Sequence, residues 1–219
     1  MALGTLPAWR AVLLVGALYL GAFTGLSVFR RQKPSVRFLV EGGALTAAAV
    51  ALCFLARPPH PILFLAVLYL ATMRVRLLVD LSNMLANRGS FRAALGAIGF
   101  ALRLGPDPAS RQVALINRGV TQLRMGEPQA AYFTLKGVLL EEEVQSAARY
   151  QAAGFYNLGV ACERSGRPQE AERCYRRAIE AMPSSIYALG ADKALKRAAE
   201  RKAAGGQSPG DGPSGPATR

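Results

Sequence analysis

Histidine occurs once in these 219 residues and cysteine three times, so the side chains that most often hold metals or move protons are nearly missing. His60 stands in a proline-rich turn with no nucleophile or ligand near it in sequence. Cys53 lies in an apolar run, and Cys162 and Cys174 read as small buried hydrophobes, not as ligands at metal spacing. A disulfide between those last two would need an oxidising compartment. There is no P-loop, no G-x-G-x-x-G after a strand and no G-x-S-x-G elbow. The chain is therefore expected to be no enzyme and to hold no cofactor and no metal.

Acid is scarce as well, with 14 Asp and Glu against 27 Lys and Arg, a formal net charge of +13. Before Arg74 the only acidic residue is Glu41. Nucleic acid is not the expected partner of this charge, because no interleaved aromatics or reading helix accompany it. The run Glu141, Glu142 and Glu143 is the only acidic block, and it reads as a solvated linker.

Apolar residues are abundant, at 51%. Residues 11–29 carry no charge, and at about 1.5 Å per residue they reach about 28 Å, enough to cross a bilayer core. Arg30, Arg31 and Lys33 follow in place of a small-residue cleavage site, so the run is a span and not a signal peptide. A second span covers 38–56, with Glu41 in its first turn expected to be solvated or paired with Arg37. After the turn 57–61, a third run from 62 is short before Arg74, but snorkelling arginines extend it to about Val79. The membrane domain is thus 1–74, its last helix continuing unbroken past Arg74. Basic flanks then place the N-terminus outside and everything after the third span in the cytoplasm. An alanine- and arginine-rich composition is compatible with a bacterial source, and the expected location is a bacterial plasma membrane.

Beyond Arg74 the pattern changes from apolar runs to helical periodicity punctuated by glycine. Residues 152–183 place Phe155, Leu158, Gly159, Cys162, Ala171, Tyr175, Ala178 and Pro183 at the slots of W-x2-L-G-x2-Y…A-x3-F…P, about 34 residues long. This stretch strongly resembles the tetratricopeptide repeat family. Upstream, Gly126 and Gly89 repeat the turn glycine Gly166 at spacings of 40 and 37 residues. Leu115, Arg118, Gly119, Ala131, Leu135 and Val138 fill the slots around the first. Leu78, Leu81, Ser82, Leu85, Ala94, Ile98 and Ala101 fill those around the second.

The expected fold is all-α: N-terminal transmembrane helices, then a helical-hairpin solenoid over 75–203. Its repeats cover 75–108, 112–143 and 152–183. Ser184 and Ser185 start a capping helix over 184–203, with Tyr187 and Leu189 covering the last repeat and Lys193, Lys196, Arg197, Arg201 and Lys202 in water. The tail 204–219 has nothing to bury and is expected to be disordered.

The resemblance implies a concave groove, lined by the first helix of each hairpin, that binds segments of partner proteins. Its positions here are Asn83 and Asn87, then Ile116, Asn117, Val120 and Arg124, then Tyr156, Asn157, Val160 and Arg164. Members that clamp a partner's C-terminal carboxylate use cations where this chain has Val79, Ala153 and Asn157, so that mode is not expected. Arg74, Arg76, Arg88 and Arg92 sit close to the last span and are placed to contact anionic lipid headgroups. The function expected is a membrane-anchored adaptor or scaffold. The alternative is a structural subunit whose spans pack on partner spans through Gly16, Ala17, Gly21, Gly25, Gly42 and Gly43.

Overall fold

A computed structural model describes residues 7–29, 35–55, 58–140 and 147–205. Among these residues the fold is all-α, in nine helices and no strand. They are α1 (Ala8–Phe29), α2 (Val36–Leu55), α3 (Pro61–Asn87), α4 (Phe91–Arg103), α5 (Pro108–Met125), α6 (Pro128–Leu140), α7 (Ala148–Arg164), α8 (Pro168–Ala181) and α9 (Ile186–Gly205). Arg30, Arg31, Lys33, Arg57, the Glu141, Glu142 and Glu143 block, and residues 206–219 of the tail lie outside the described residues.

The first three helices are long and apolar enough to cross a membrane, which suggests a membrane protein. They form a bundle around Val12, Tyr19, Phe64 and Leu68. Gly16 faces Thr46 and Gly42 faces Leu20 so closely that a Cβ at either glycine would come within 2.5 Å of the opposing side chain. These two glycines thus bring α1 and α2 together, and Tyr19 on α1 shares a 2.6 Å hydrogen bond with Thr72 on α3. Outward faces carry exposed Leu14, Leu18, Val40, Phe54, Leu63 and Leu70, as lipid-facing surfaces do.

Helix α3 does two jobs without a break. It starts on Pro61, with His60 as its N-cap accepting a long 3.4 Å bond from the Ile62 amide, so His60 has a capping role beyond that of a turn residue. It ends at Asn87 as the first helix of the first hairpin, packed on α4. The next pairs are α5 with α6 and α7 with α8, and α9 closes the array on α8 and α7.

The hairpins are built alike. Gly89, Gly126 and Gly166 all adopt the left-handed conformation, with φ of 79°, 86° and 74°, which turns the chain from one helix to the next. Ser82, Gly119 and Gly159 occupy one slot and are all buried. Opposite them Ile98, Leu135 and Tyr175 are 0%, 0% and 4% exposed. The small slots Ala94, Ala131 and Ala171 are buried too, as are Ala101, Val138 and Ala178. Gly119 receives Leu135 and Gly159 receives Tyr175, and in the first hairpin the same two slots hold the buried Ser82 and Ile98.

Ser185 accepts a 3.0 Å bond from the Ala188 amide at the start of α9. Tyr187 packs its ring at a tilt against Tyr156, but Leu189 is exposed, contrary to the sequence expectation. Ala188, Ala191 and Ala194 face inward instead, because their small side chains let α9 approach α7 closely. The basic residues of α9 point to water, and Lys202 and Arg201 reach Glu172 and Glu163 at 3.1 and 3.3 Å.

Candidate protein-binding groove

The first helices of the hairpins stack in the order α3, α5, α7, with α9 against the last. Positions along them recur in register, so the ten expected groove residues fall into four rows. Their surroundings differ from row to row.

Ile116 belongs to the row of Val79 and Tyr156. Ile116 is 3% exposed and Val79 5%, both inside the array. Tyr156 is half-buried between Tyr175 and Tyr187, 6.0 Å from each ring, and presses on Gly190, where a Cβ would meet its ring at 2.9 Å. This row holds the repeats and α9 together. Asn117 and Asn157 form the second row, and each donates its side-chain amide to the carbonyl four residues back, Val113 and Ala153, at 2.8 Å. Their side-chain oxygens remain as acceptors on the face. Asn83, Val120 and Val160 make the third row, all half-buried.

The fourth row is Asn87, Arg124 and Arg164, all exposed at the helix ends. Arg124 donates to the Asn87 side-chain oxygen at 2.8 Å and lies 5.7 Å from the Phe91 ring. One repeat further on, Arg164 donates to the Leu123 carbonyl at 3.3 Å. Each arginine thus reaches back to the end of the preceding first helix, where a cation also meets the negative end of the helix dipole. This stepwise ladder is a feature that sequence reasoning missed. The signal was present in the equal slot of the two arginines, but their partners lie 37 and 41 residues away.

On the other face, Tyr132 of α6 donates to Glu170 of α8 at 3.0 Å, Lys136 donates to Tyr132 at 2.6 Å, and the Arg167 guanidinium sits 4.1 Å from the Tyr132 ring. The hydrogen bond to Tyr132 raises the Lys136 ammonium above its ordinary value. This cluster ties the second hairpin to the third.

Glu41 does more than the sequence indicated. It accepts from Arg37 at 2.6 Å, as its spacing suggested, and also from Arg74 at 2.6 and 2.8 Å. Arg74 is therefore occupied by α2, while Arg76, Arg88 and Arg92 are exposed.

Cys162 and Cys174 are held as protonated thiols. Burial pushes Cys162 up to about 12 and raises Cys174 as well. Among the described residues no three His, Cys, Asp or Glu side chains gather as metal ligands do.

Residues 152–185 match the family model described as tetratricopeptide repeat. No protein with a curated description matches the chain. The matched segment covers α7 past its first turn, all of α8 and the connection into α9. This chain therefore carries a tetratricopeptide repeat at residues 152–185, within an all-helical fold whose three apolar N-terminal helices fit a membrane anchor.

Proposed function

We propose that the chain is a membrane-anchored adaptor that binds segments of partner proteins along the face formed by α3, α5 and α7. The observation that carries this reading is the open surface of three rows, Asn117 with Asn157, Asn83 with Val120 and Val160, and Asn87 with Arg124 and Arg164. It offers amide oxygens, apolar patches and two cations on a rigid array. Repeats of the matched kind generally mediate protein–protein contact, and no catalytic role enters the reading. Ile116 and Tyr156 support this face from beneath. The basic residues beyond the last span favour a cytoplasmic array, with Arg76, Arg88 and Arg92 near anionic headgroups, and the alanine- and arginine-rich composition fits a bacterial plasma membrane.

A second reading has its own support. Gly21, Gly25 and Gly43 have open space where a Cβ would be, whereas Gly16 and Gly42 are used within the bundle. Partner spans could pack at those open glycines, making the chain a structural subunit.

One experiment separates the two. Full-length chain is used as bait from solubilised membranes, as wild type, as Arg124→Glu with Arg164→Glu, and as Gly21→Leu with Gly25→Leu. Partners lost only from the arginine variant support the adaptor. Partners lost only from the glycine variant overturn it in favour of the subunit. The side of the array is read with Ser208→Cys in a background lacking the native cysteines. Labelling of intact cells by a membrane-impermeant thiol reagent would put the array outside.

A further inference from the structure

Where α1 ends and α2 begins, a cleft of about 230 Å³ opens between α1, α2, α3 and the connection from α4 to α5. One wall is apolar, with Phe23, Leu26, Phe38 and Met73. The other carries three cations, Arg37, Arg74 and Arg76, and two carboxylates, Glu41 and Asp107.

The carboxylates are already used. Glu41 takes Arg37 and both prongs of Arg74. Asp107 caps α5, accepting from the Ser110 amide at 3.1 Å and from its hydroxyl at 2.7 Å. The hydroxyls of Ser27 and Thr72 donate to carbonyls of their own helices at 2.9 and 2.7 Å. What remains unspent is donor capacity. Arg76 is exposed, with no ion-pair partner among the described residues. Arg37 commits Nε to Glu41 and Nη2 to the Leu104 carbonyl at 3.3 Å, and a guanidinium has five N–H groups. Between Phe23 and Leu26 on α1, Thr24 also lines the cleft with a buried hydroxyl that has no partner among the described residues.

The position of the cleft selects the ligand. Arg74 is thirteen residues from the start of α3, about 20 Å along its axis at about 1.5 Å per residue. That is short of the about 30 Å of a hydrocarbon core, so the polar layer of Glu41, Arg37 and Arg74 lies near its inner edge, where guanidinium groups snorkel towards the headgroups. Beside it α1 runs on, exposing Leu26, Val28 and Phe29. Surplus cationic donors next to an exposed apolar helix end suit an amphiphile with an anionic, oxygen-rich head.

We propose that this cleft binds one anionic phospholipid, whose phosphate takes Arg76 and the free edge of Arg37 while an acyl chain lies along the end of α1. The proposal rests on the reading of α1, α2 and α3 as spans and deepens the headgroup contact suggested above. Because Arg37 also holds the Leu104 carbonyl, the bound lipid would brace the first hairpin against the bilayer.

The test is native mass spectrometry of the full chain in detergent with equal phosphatidylglycerol and phosphatidylcholine. The expected result is one phosphatidylglycerol retained per chain, about tenfold in preference, a difference of about 1.4 kcal/mol. Arg76→Gln should remove most of that preference, Arg76→Lys should restore part, and Arg88→Gln with Arg92→Gln should leave it intact. Equal retention of the two lipids, or equal loss in the Arg88 and Arg92 variant, would overturn the site. So would displacement of the lipid by millimolar inorganic phosphate, which would mark a site for free anions. Carbonate extraction of the same membranes reports the spans separately. A chain that stays in the membrane but shows no lipid preference sinks the site alone, and a chain that leaves sinks both readings.

Discussion

Glu41 on α2 and Arg74 on α3 face each other as a two-pronged ion pair at 2.6 and 2.8 Å, each side chain 29% exposed. A pair so sheltered is worth more than one at an open surface: removing Glu41 leaves Arg74 half-buried without its carboxylate, and removing Arg74 leaves Glu41 with Arg37 alone. Glu41→Gln and Arg74→Gln are each expected to cost about 1–2 kcal/mol. Their double mutant should show a coupling above about 0.5 kcal/mol. Arg37→Gln, from a side chain 42% exposed, should cost less than either. Chemical unfolding in detergent, followed by far-ultraviolet circular dichroism, measures the cycle; additive losses would mean that the pair contributes nothing.

A methyl group at Gly159 would come within 2.6 Å of the Tyr175 ring. That ring is 4% exposed and its hydroxyl donates to Glu163 at 2.9 Å, so it has little freedom to move aside. Gly159→Ala should therefore destabilise by about 1–3 kcal/mol despite the better helix propensity of alanine. Gly137, also in a helix, has open space around it, and Gly137→Ala should stabilise by about 0.5–1 kcal/mol. Opposite signs in the unfolding midpoints of the two variants are the expected reading.

Gln122 occupies the slot filled by Leu85 in the first hairpin and Cys162 in the third, and its buried side-chain oxygen has no hydrogen-bond partner among the described residues. An unsatisfied buried acceptor costs about 1–3 kcal/mol. Gln122→Leu is expected to raise the stability of the array by about 1 kcal/mol. A lowered unfolding midpoint would show that the amide is needed there.

Burial holds the Cys162 thiol near 12 against an ordinary 9.0, and burial with the hydrogen bond to Glu163 raises the Tyr175 phenol. Both groups are neutral when protonated, so the folded state keeps their protons where the unfolded chain has lost them. Their contribution is complete below pH 9 and declines as pH rises from there towards 12. Cys162→Ala should flatten the fall of stability between pH 9 and 10, where the thiol titrates on unfolding together with Cys174 and before Tyr175, by at most about 1.4 kcal/mol per pH unit. Unfolding curves across that window test the sign. An unchanged slope would show that the thiol is not held protonated by the fold.

Much of the fold was legible because the relevant signals are local. Apolar runs produced three helices of crossing length, and the recurrence of small and large residues around Gly89, Gly126 and Gly166 produced four slots whose burial matches across three hairpins, whereas the slot of Leu158 is buried only there and is exposed at Leu81 and Arg118. Arg37 with Glu41 was readable at a spacing of four residues on one helix. Leu189 was misread because local pattern gives a helix its apolar residues but not the rotation at which it docks. Among the groove positions, only packing separated Ile116, which is buried, from Arg124, which is exposed.

By itself the sequence determined that this chain is helical, that its first third suits a bilayer, and that residues 152–185 form a repeat of known type. Those properties follow from hydrophobic period and turn chemistry, which act within a few residues. Tertiary structure alone decided that Arg74 answers Glu41, that Arg124 and Arg164 step back along the array, and that α9 takes Tyr156 for itself. Each of these joins residues more than 30 positions apart, and their meeting depends on how whole helices are rotated and spaced, which is set by the summed packing of many side chains.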